Sequence, residues 1–446
     1  MTAPTTGAED IAAASGAEAT GESDAAPAPS YPLLDAPAEG VPDVIVDERA
    51  LTAAAQLIAA GHGPVALDAE RASGFRYGNR AYLVQLRREG SGSFLIDPIA
   101  CPDLSPINDA IGDAEWVLHA ATQDVACLAE VGLRPAALFD TELGGRIAGL
   151  PRVGLAAVIE HYLGVTLAKE HSAADWSTRP LPEPWLRYAA LDVEVLVQVR
   201  DLMYADLEAS GKLDWALQDF KALLSFTGPP QRAEPWRRTS GMHTIRDRRA
   251  LARVREVWQT RDQLASDRDI APGRLLPDAL IVAMAGTPPR SAGELSALTA
   301  APKNGAPARR PRKPHHGLMR YQRDWLAALT RAGALSEREL PVVTVKGDGP
   351  PPLRAWADRE PIAAARLSQV RAELSQFGEQ HGVPLENLVT PDSLRRLLWH
   401  APTAWDEAAM RAELTSYGAR RWQVDVVVPL VLQAVEDHPT DPVTDE

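Results

Sequence analysis

The sequence predicts an α/β layer domain reaching to about residue 228, followed by domains that are all helical. Three observations carry this. Short apolar, strand-like runs crowd between residues 44 and 119; helical periodicity takes over from 124; and beyond Pro229-Pro230 the apolar residues recur almost entirely at helical spacing.

Taken in order, Val44-Ile45-Val46 reads as a short strand, and Asp47 caps a helix over 48–60. Pro64-Val-Ala-Leu-Asp68 is an apolar strand ending on an acid. Strands at 81–86 and 93–96 are joined by the turn Glu89-Gly90-Ser91-Gly92, and Trp116-Val-Leu-His119 is a further strand. Helices follow over 124–130, 142–149, 154–163 and 184–209. Past the junction, Leu251, Val254, Val257, Trp258 and Leu264 form one helical stripe over 247–268. Residues 286–316 read as a Pro/Gly/Arg-rich connection, and helical pattern resumes over 317–332 and 359–435. The helical part carries a weak repeat: Arg261 to Pro272 with Leu275-Leu-Pro-Asp278 parallels Arg371 to Pro384 with Leu388-Val-Thr-Pro-Asp392.

The chain has 446 residues and a formal net charge of -14, which by itself argues against a nucleic-acid partner. That charge belongs to the ends. Residues 1–49 hold ten acids and one base, residues 436–446 hold five acids and no base, and 50–435 is neutral. Residues 1–40 are Ala, Gly, Pro, Ser and acids and are expected to be a disordered acidic tail, as are 436–446. Two cysteines exclude a disulfide framework or a thiolate zinc site and point to a reducing compartment. No run of 18 apolar residues exists and the start lacks a signal-peptide pattern, so a cytoplasmic protein with no membrane partner is expected.

Four acids stand in distinctive settings. Asp68 and Glu70, two residues apart on a strand, share one face. Asp124 begins a helix after the strand ending at His119, and Tyr188 and Asp192 lie four apart on one helix face. Four convergent carboxylates cannot all ionise without cations. An oxygen-only set favours two Mg²⁺ or Mn²⁺ ions, which serve phosphoryl displacement. Singly, each signal has a structural explanation: a solvated Asp-x-Glu, a His119–Asp124 hydrogen bond, a chance Tyr-x-x-x-Asp. In order and on fitting elements they point to one site.

Residues 44–228 resemble the ribonuclease D branch of the DEDD-type 3′→5′ exonucleases. The likeness rests on Val65-Ala-Leu-Asp-Ala-Glu-Arg71, on Val117-Leu-His-Ala-Ala-Thr-Gln-Asp124 with Leu138-Phe-Asp-Thr141, on Tyr188-Ala-Ala-Leu-Asp192, and on Asp175-Trp-Ser-Thr-Arg-Pro-Leu181. Residues 246–334 resemble the HRDC helical module, and 355–435 look like a second, diverged copy. The resemblance implies a ribonuclease H-like exonuclease domain with a mixed sheet over 41–228 and two all-α HRDC-type domains, with linkers at 229–245 and 335–354. It implies that Asp68, Glu70, Asp124 and Asp192 bind the two metals and that Tyr188 positions the hydrolytic water. The expected substrate is RNA, at the 3′ ends of tRNA or other stable precursors, released as 5′-monophosphates by a monomeric enzyme. A DNA 3′→5′ exonuclease and a noncatalytic RNA-binding scaffold are the competing readings.

Candidate RNA contacts are Trp176, Arg179 and Lys169 near the last motif, and Arg76 and Tyr77 (with Phe75 and Arg80), placed to clamp a 3′-terminal nucleotide. His171 is expected at the cleft border, and Gln85 is expected to serve the sheet. The acid-free basic run from 303 to 323 adds Arg309, Arg310, Arg312, Lys313 and Arg320, with Tyr321 as a stacking ring. A second run, 232–255, holds eight arginines against two acids and reads equally as RNA-binding or as the start of a packed helix.

Overall fold

The computed structural model describes residues 31–168, 171, 173–298, 315–344, 347, 349–400 and 405–439. The first part runs β1 (Leu33–Leu34), β2 (Val44–Ile45), α1 (Glu48–Ala60), β3 (His62–Arg71), β4 (Ala81–Glu89), β5 (Gly92–Ile96), α2 (Ser105–Ile111), β6 (Glu115–Leu118), α3 (Val125–Glu130) and β7 (Ala137–Asp140). It continues with α4 (Thr141–Ala148), α5 (Leu155–Leu163), β8 (Thr166–Leu167), α6 (Glu183–Glu194), α7 (Leu196–Ala209) and α8 (Leu213–Leu223). Six strands form one mixed sheet in the order β2-β5-β4-β3-β6-β7. β4 pairs antiparallel with β3 and β5; the other neighbours pair parallel.

β3 is central, and its alternation divides the core. Val65, Leu67 and Ala69 pack with Leu51 and Ile58 of α1, Ile107 of α2 and Leu128 of α3. Ala66, on the other face, packs with Val117, Val193 and Leu196 on the α6–α7 side. Helices therefore cover both faces, and the even-numbered residues of β3 look toward α6. The Asp47 carboxylate caps α1 by accepting from the Ala50 amide at 2.9 Å.

Several expectations are corrected. Residues 33–39, expected in the tail, are engaged with the α/β part. Leu33–Leu34 pairs with Thr166–Leu167, the Ala38 amide donates to Glu194 at 3.2 Å, and Glu39 pairs with Arg87 at 3.2 Å. The strand begun at Pro64 continues past Asp68 to Arg71. The helix expected over 184–209 is two helices, because Val195 leaves helical geometry at φ -113°, ψ 0°. α2 and β7 were not legible, the latter a four-residue strand inside the second motif.

The helical part contains α9 (Arg248–Arg268), α10 (Pro272–Leu275), α11 (Asp278–Gly286), α12 (Ala292–Ala297), α13 (His316–Arg320) and α14 (Gln322–Ala334). Their core gathers Leu251, Val254, Val257, Ile281, Trp325 and also Trp236, which belongs to the expected linker. Next come α15 (Trp356–Arg359), α16 (Pro361–His381), α17 (Leu385–Leu388), α18 (Pro391–Trp399), α19 (Glu407–Ser416) and α20 (Arg421–Asp437). α20 thus takes in Glu436 and Asp437, expected in the tail. The repeat shows in matched lengths: α9 and α16 have 21 residues each, α10 and α17 four, α11 and α18 nine. Both long helices end on a left-handed residue, Asp269 and Gly382. Residues 299–314, most of the basic connection, lie outside the described part.

Candidate active site

Asp68 and Glu70 project from the face of β3 that meets α6, and α6 carries Asp192. One oxygen from each of these three carboxylates lies within 4.8 Å of the other two. Tyr188 lies one turn before Asp192 on the same face of α6, close enough for each to perturb the other's titration. Glu70 and Asp192 are buried, so the cluster is a recess and not a solvated acidic surface.

Asp124 reaches the site differently. Asp140, at the end of β7, accepts from the amides of Ala120 (3.1 Å) and Ala121 (2.8 Å) while capping α4 through Glu142 and Leu143. This pins the turn that leads into Asp124. The Asp124 side chain caps no amide, and Arg71 stands 3.5 Å from it. Arg71 also donates to the Gln123 carbonyl at 2.8 Å. Asp124 thus stands outside the 4.8 Å group, although its charge is felt by Glu70 and it feels Asp68. His119 contacts Thr141 at 2.9 Å, not Asp124 as one sequence reading had it.

Burial pushes all four carboxyls above their ordinary range. For Glu70, desolvation together with the charges of Asp68, Asp192 and Asp124 lifts the value to about 10. Asp124 is 3 % exposed, and its Oδ1 has no hydrogen-bond partner among the described residues. A buried carboxylate oxygen with no hydrogen bond and only the Arg71 guanidinium at 3.5 Å, beside three mutually repelling acids, fits a bound cation. The donor set is oxygen only, which suits hard divalent ions.

Sequence reasoning undervalued Gln85. It lies directly opposite Asp68 in the β3–β4 register, is fully buried, and donates its Nε2 to Asp68 Oδ2 at 2.8 Å. It therefore orients a site acid and does not merely fill the sheet.

Of the expected RNA contacts among the described residues, Trp176, Arg179, Arg76, Tyr77 and Tyr321 have other work. Trp176 is fully buried and packs against Trp185 and Tyr188, with ring centroids 5.4 and 6.4 Å away. It backs Tyr188 instead of facing a strand of RNA. Arg179 forks onto buried Asp97 at 2.6 and 2.8 Å and donates to the Tyr82 and Trp176 carbonyls. Its donors tie the loop to the sheet and do not face a substrate strand. Arg76 and Tyr77 turn toward the helical part: Arg76 donates to Ser177 at 2.7 Å and faces Asp269, and Tyr77 donates to Asp262 at 3.1 Å. Tyr321 is 8 % exposed in the core around Trp325, which removes it as a stacking platform, whereas neighbouring Arg320 is exposed. The His171 ring lies 5.9 Å from Trp185 and 6.4 Å from Tyr188, at the border of the site as expected. Lys169, Arg309, Arg310, Arg312 and Lys313 lie outside the described residues. In the 232–255 run, Arg248 and Arg249 donate to carbonyls of the segment 333–341, and Arg237 bonds Glu234 and the Val342 carbonyl. Those three arginines fasten the chain to itself, so the run reads chiefly as structural.

Comparison with known proteins decides the family. A 3′-5′ exonuclease model matches residues 43–208 and an HRDC domain model matches 250–306. A model of the 3′ to 5′ exonuclease C-terminal domain matches 349–435. Ribonuclease D of Gluconacetobacter diazotrophicus is 29% identical over 340 residues, covering 75% of this chain and 80% of that protein. Ribonuclease D of Escherichia coli is 29% identical over 343 residues, covering 75% and 84%. The chain belongs to the ribonuclease D family. It is a 3′→5′ exoribonuclease. A crystal structure of a protein from Bifidobacterium adolescentis superposes with TM-score 0.80 at 40% identity, over 91% of this chain and all of that one. The E. coli RNase D structure, of an exoribonuclease involved in structured RNA processing, shares the fold with TM-score 0.63 at 24% identity, over 89% and 99%. Among the described residues no helix is long and apolar enough to cross a membrane.

Proposed function

We propose that Asp68, Glu70, Asp124 and Asp192 hold two divalent ions, Mg²⁺ or Mn²⁺, and that the enzyme trims the 3′ ends of tRNA or other stable RNA precursors in the cytoplasm, releasing 5′-monophosphates. The observation that carries the reading is the convergence of Asp68, Glu70 and Asp192 within 4.8 Å, with Tyr188 one helical turn from Asp192. Bound divalent ions supply Lewis acidity at the attacking and leaving oxygens of the phosphodiester.

The chain's own residues do the rest. Gln85 holds the Asp68 carboxylate in one orientation, and the Asp140-pinned turn holds Asp124. Tyr188 keeps its proton at neutral pH, because burial and the neighbouring acids raise its pKa. Its hydroxyl is therefore a donor and acceptor able to orient a water for in-line attack. The recess excludes bulk water from the acids, which strengthens their hold on a cation. The helical domains carry the RNA and deliver its 3′ end. α16–α20 act as a second HRDC-like module, a reading supported by the matched helix lengths.

The test uses 5′-labelled RNA with Mg²⁺ or Mn²⁺. The wild type is expected to give a ladder of single-nucleotide steps and Asp68→Ala to give none. Equal activity in the variant would overturn the metal site. Parallel 2′-deoxy substrates read the sugar preference.

A further inference from the structure

The loop between β3 and β4 leaves the site strand one residue after Glu70 and returns on the strand that carries Gln85. Its residues 74–80 reach the helical part at the end of α9 and the start of α10. The Ala271 amide donates to the Phe75 carbonyl at 3.0 Å, and the Arg274 guanidinium lies 3.9 Å over the Phe75 ring and donates to the Gly74 carbonyl. Tyr77 bonds Asp262 through its hydroxyl and Asp269 through its amide. Arg76 and Arg80 face the same Asp269 carboxylate at 3.7 and 3.4 Å, and Arg76 also donates to Ser177 in the loop ahead of α6. One carboxylate thus stands where the loop after β3, the segment leading to the last motif and the HRDC-matching helices meet.

We propose that Asp269 is a positioning residue, the centre of a clasp that sets the first helical module in one register beside the acid recess, so that RNA held by the module enters with its 3′ end at the acids. The proposal rests on the reading that the helical modules grip RNA. Physically, a docked module raises the local concentration of bound RNA at the recess, and an undocked one does not. The backbone favours this assignment. Asp269 sits in left-handed geometry at φ 48°, ψ 49°, ending α9, and residues that adopt it at low cost are few. Asp269 is thereby presented side chain outward at a helix end, in range of two arginines and an amide.

Glycine adopts that backbone with less strain than aspartate. Asp269→Gly therefore keeps the end of α9 while deleting the carboxylate. Asp269→Asn keeps an acceptor for the Tyr77 amide and loses the charge. The full chain is assayed on two substrates, a hairpin RNA with a 3′ tail and a pentanucleotide too short to reach the module. With Asp269→Gly, KM for the hairpin is expected to rise about tenfold, with KM for the pentanucleotide and both kcat values within about twofold. Asp269→Asn should fall between. Unchanged KM on the hairpin, or an equal loss on both substrates, would overturn the proposal.

A second readout needs no RNA. Trypsin should cut after Arg76 and Arg80 about fivefold faster in Asp269→Gly than in the wild type, since the loop opens more often. Unchanged cleavage would overturn the clasp itself. If the wild type shows the same KM on hairpin and pentanucleotide while cleavage still accelerates, the RNA-gripping reading has failed and the clasp has not.

Discussion

The two helical modules meet the nuclease part by opposite chemistry. The first docks through exposed polar groups: the Asp269 side chain is 42% exposed and those of Arg76 and Arg80 are 38% and 51% exposed. The second docks through aromatic surface. Trp422 of α20 is 2 % exposed and stacks on Trp215 of α8 with centroids 4.8 Å apart and planes 11° from parallel. Its indole N–H donates to buried Asp219 at 3.1 Å, and Arg420 pairs with the same carboxylate at 2.7 Å. Gly149, at φ +94°, approaches Gly382 so closely that a Cβ would lie 2.7 Å from its carbonyl oxygen, with no room for a side chain. Exposed ion pairs are individually weak and screened by salt, while buried aromatic area is neither. One contact is built to be adjustable and the other to be permanent.

The largest expected effect breaks the permanent side. Trp422→Ala removes a buried indole and leaves Asp219 with one donor fewer, so a loss of about 3–5 kcal/mol is expected in denaturant unfolding. A loss under about 1 kcal/mol would mean the aromatic contact is not what holds the module.

Next comes the acid recess, where burial acts on charge itself. Glu70 titrates near 10 when folded and in the ordinary carboxylate range when unfolded. The folded, metal-free protein therefore holds more protons between those values, and its stability falls as pH rises across that window. One proton retained across two pH units corresponds to about 2.7 kcal/mol as an upper bound. Thermal unfolding of EDTA-treated protein should show Tm falling from pH 6 to pH 8. Glu70→Gln should flatten that slope and abolish the gain in Tm on adding Mn²⁺. A slope unchanged in the variant would place the titration elsewhere.

The smallest effect lies on the adjustable side. Tyr77→Phe deletes one exposed hydrogen bond to Asp262, worth about 0.5–1 kcal/mol. No measurable change in global unfolding is expected, but trypsin cleavage within 74–80 should accelerate. Raising salt should accelerate it in the wild type too, and should leave the Trp422 contact untouched when followed by tryptophan fluorescence.

Much of this molecule is written locally. The helix over 48–60 and the long helix from 248 fall where capping acids and apolar spacing place them, because helix formation depends on residues within one turn of each other. The two pairs Asp68–Glu70 and Tyr188–Asp192 share faces for the same reason, since strand and helix periods are fixed by backbone geometry. What spacing cannot carry is register and partnership. That Gln85 stands opposite Asp68 depends on how β4 pairs with β3. That Asp124 faces Arg71, outside the 4.8 Å group, depends on a turn pinned from β7. Trp176 and Arg179 carry the composition of an RNA-binding site, but a neighbour claimed each: the rings of Trp185 and Tyr188 the indole, and buried Asp97 the guanidinium. Arg237 and Arg248 likewise found carbonyl partners 105 and 92 residues away. Residue type specifies which bonds a side chain can make; only the fold brings a partner within 3 Å, and burial makes that partner the one it keeps.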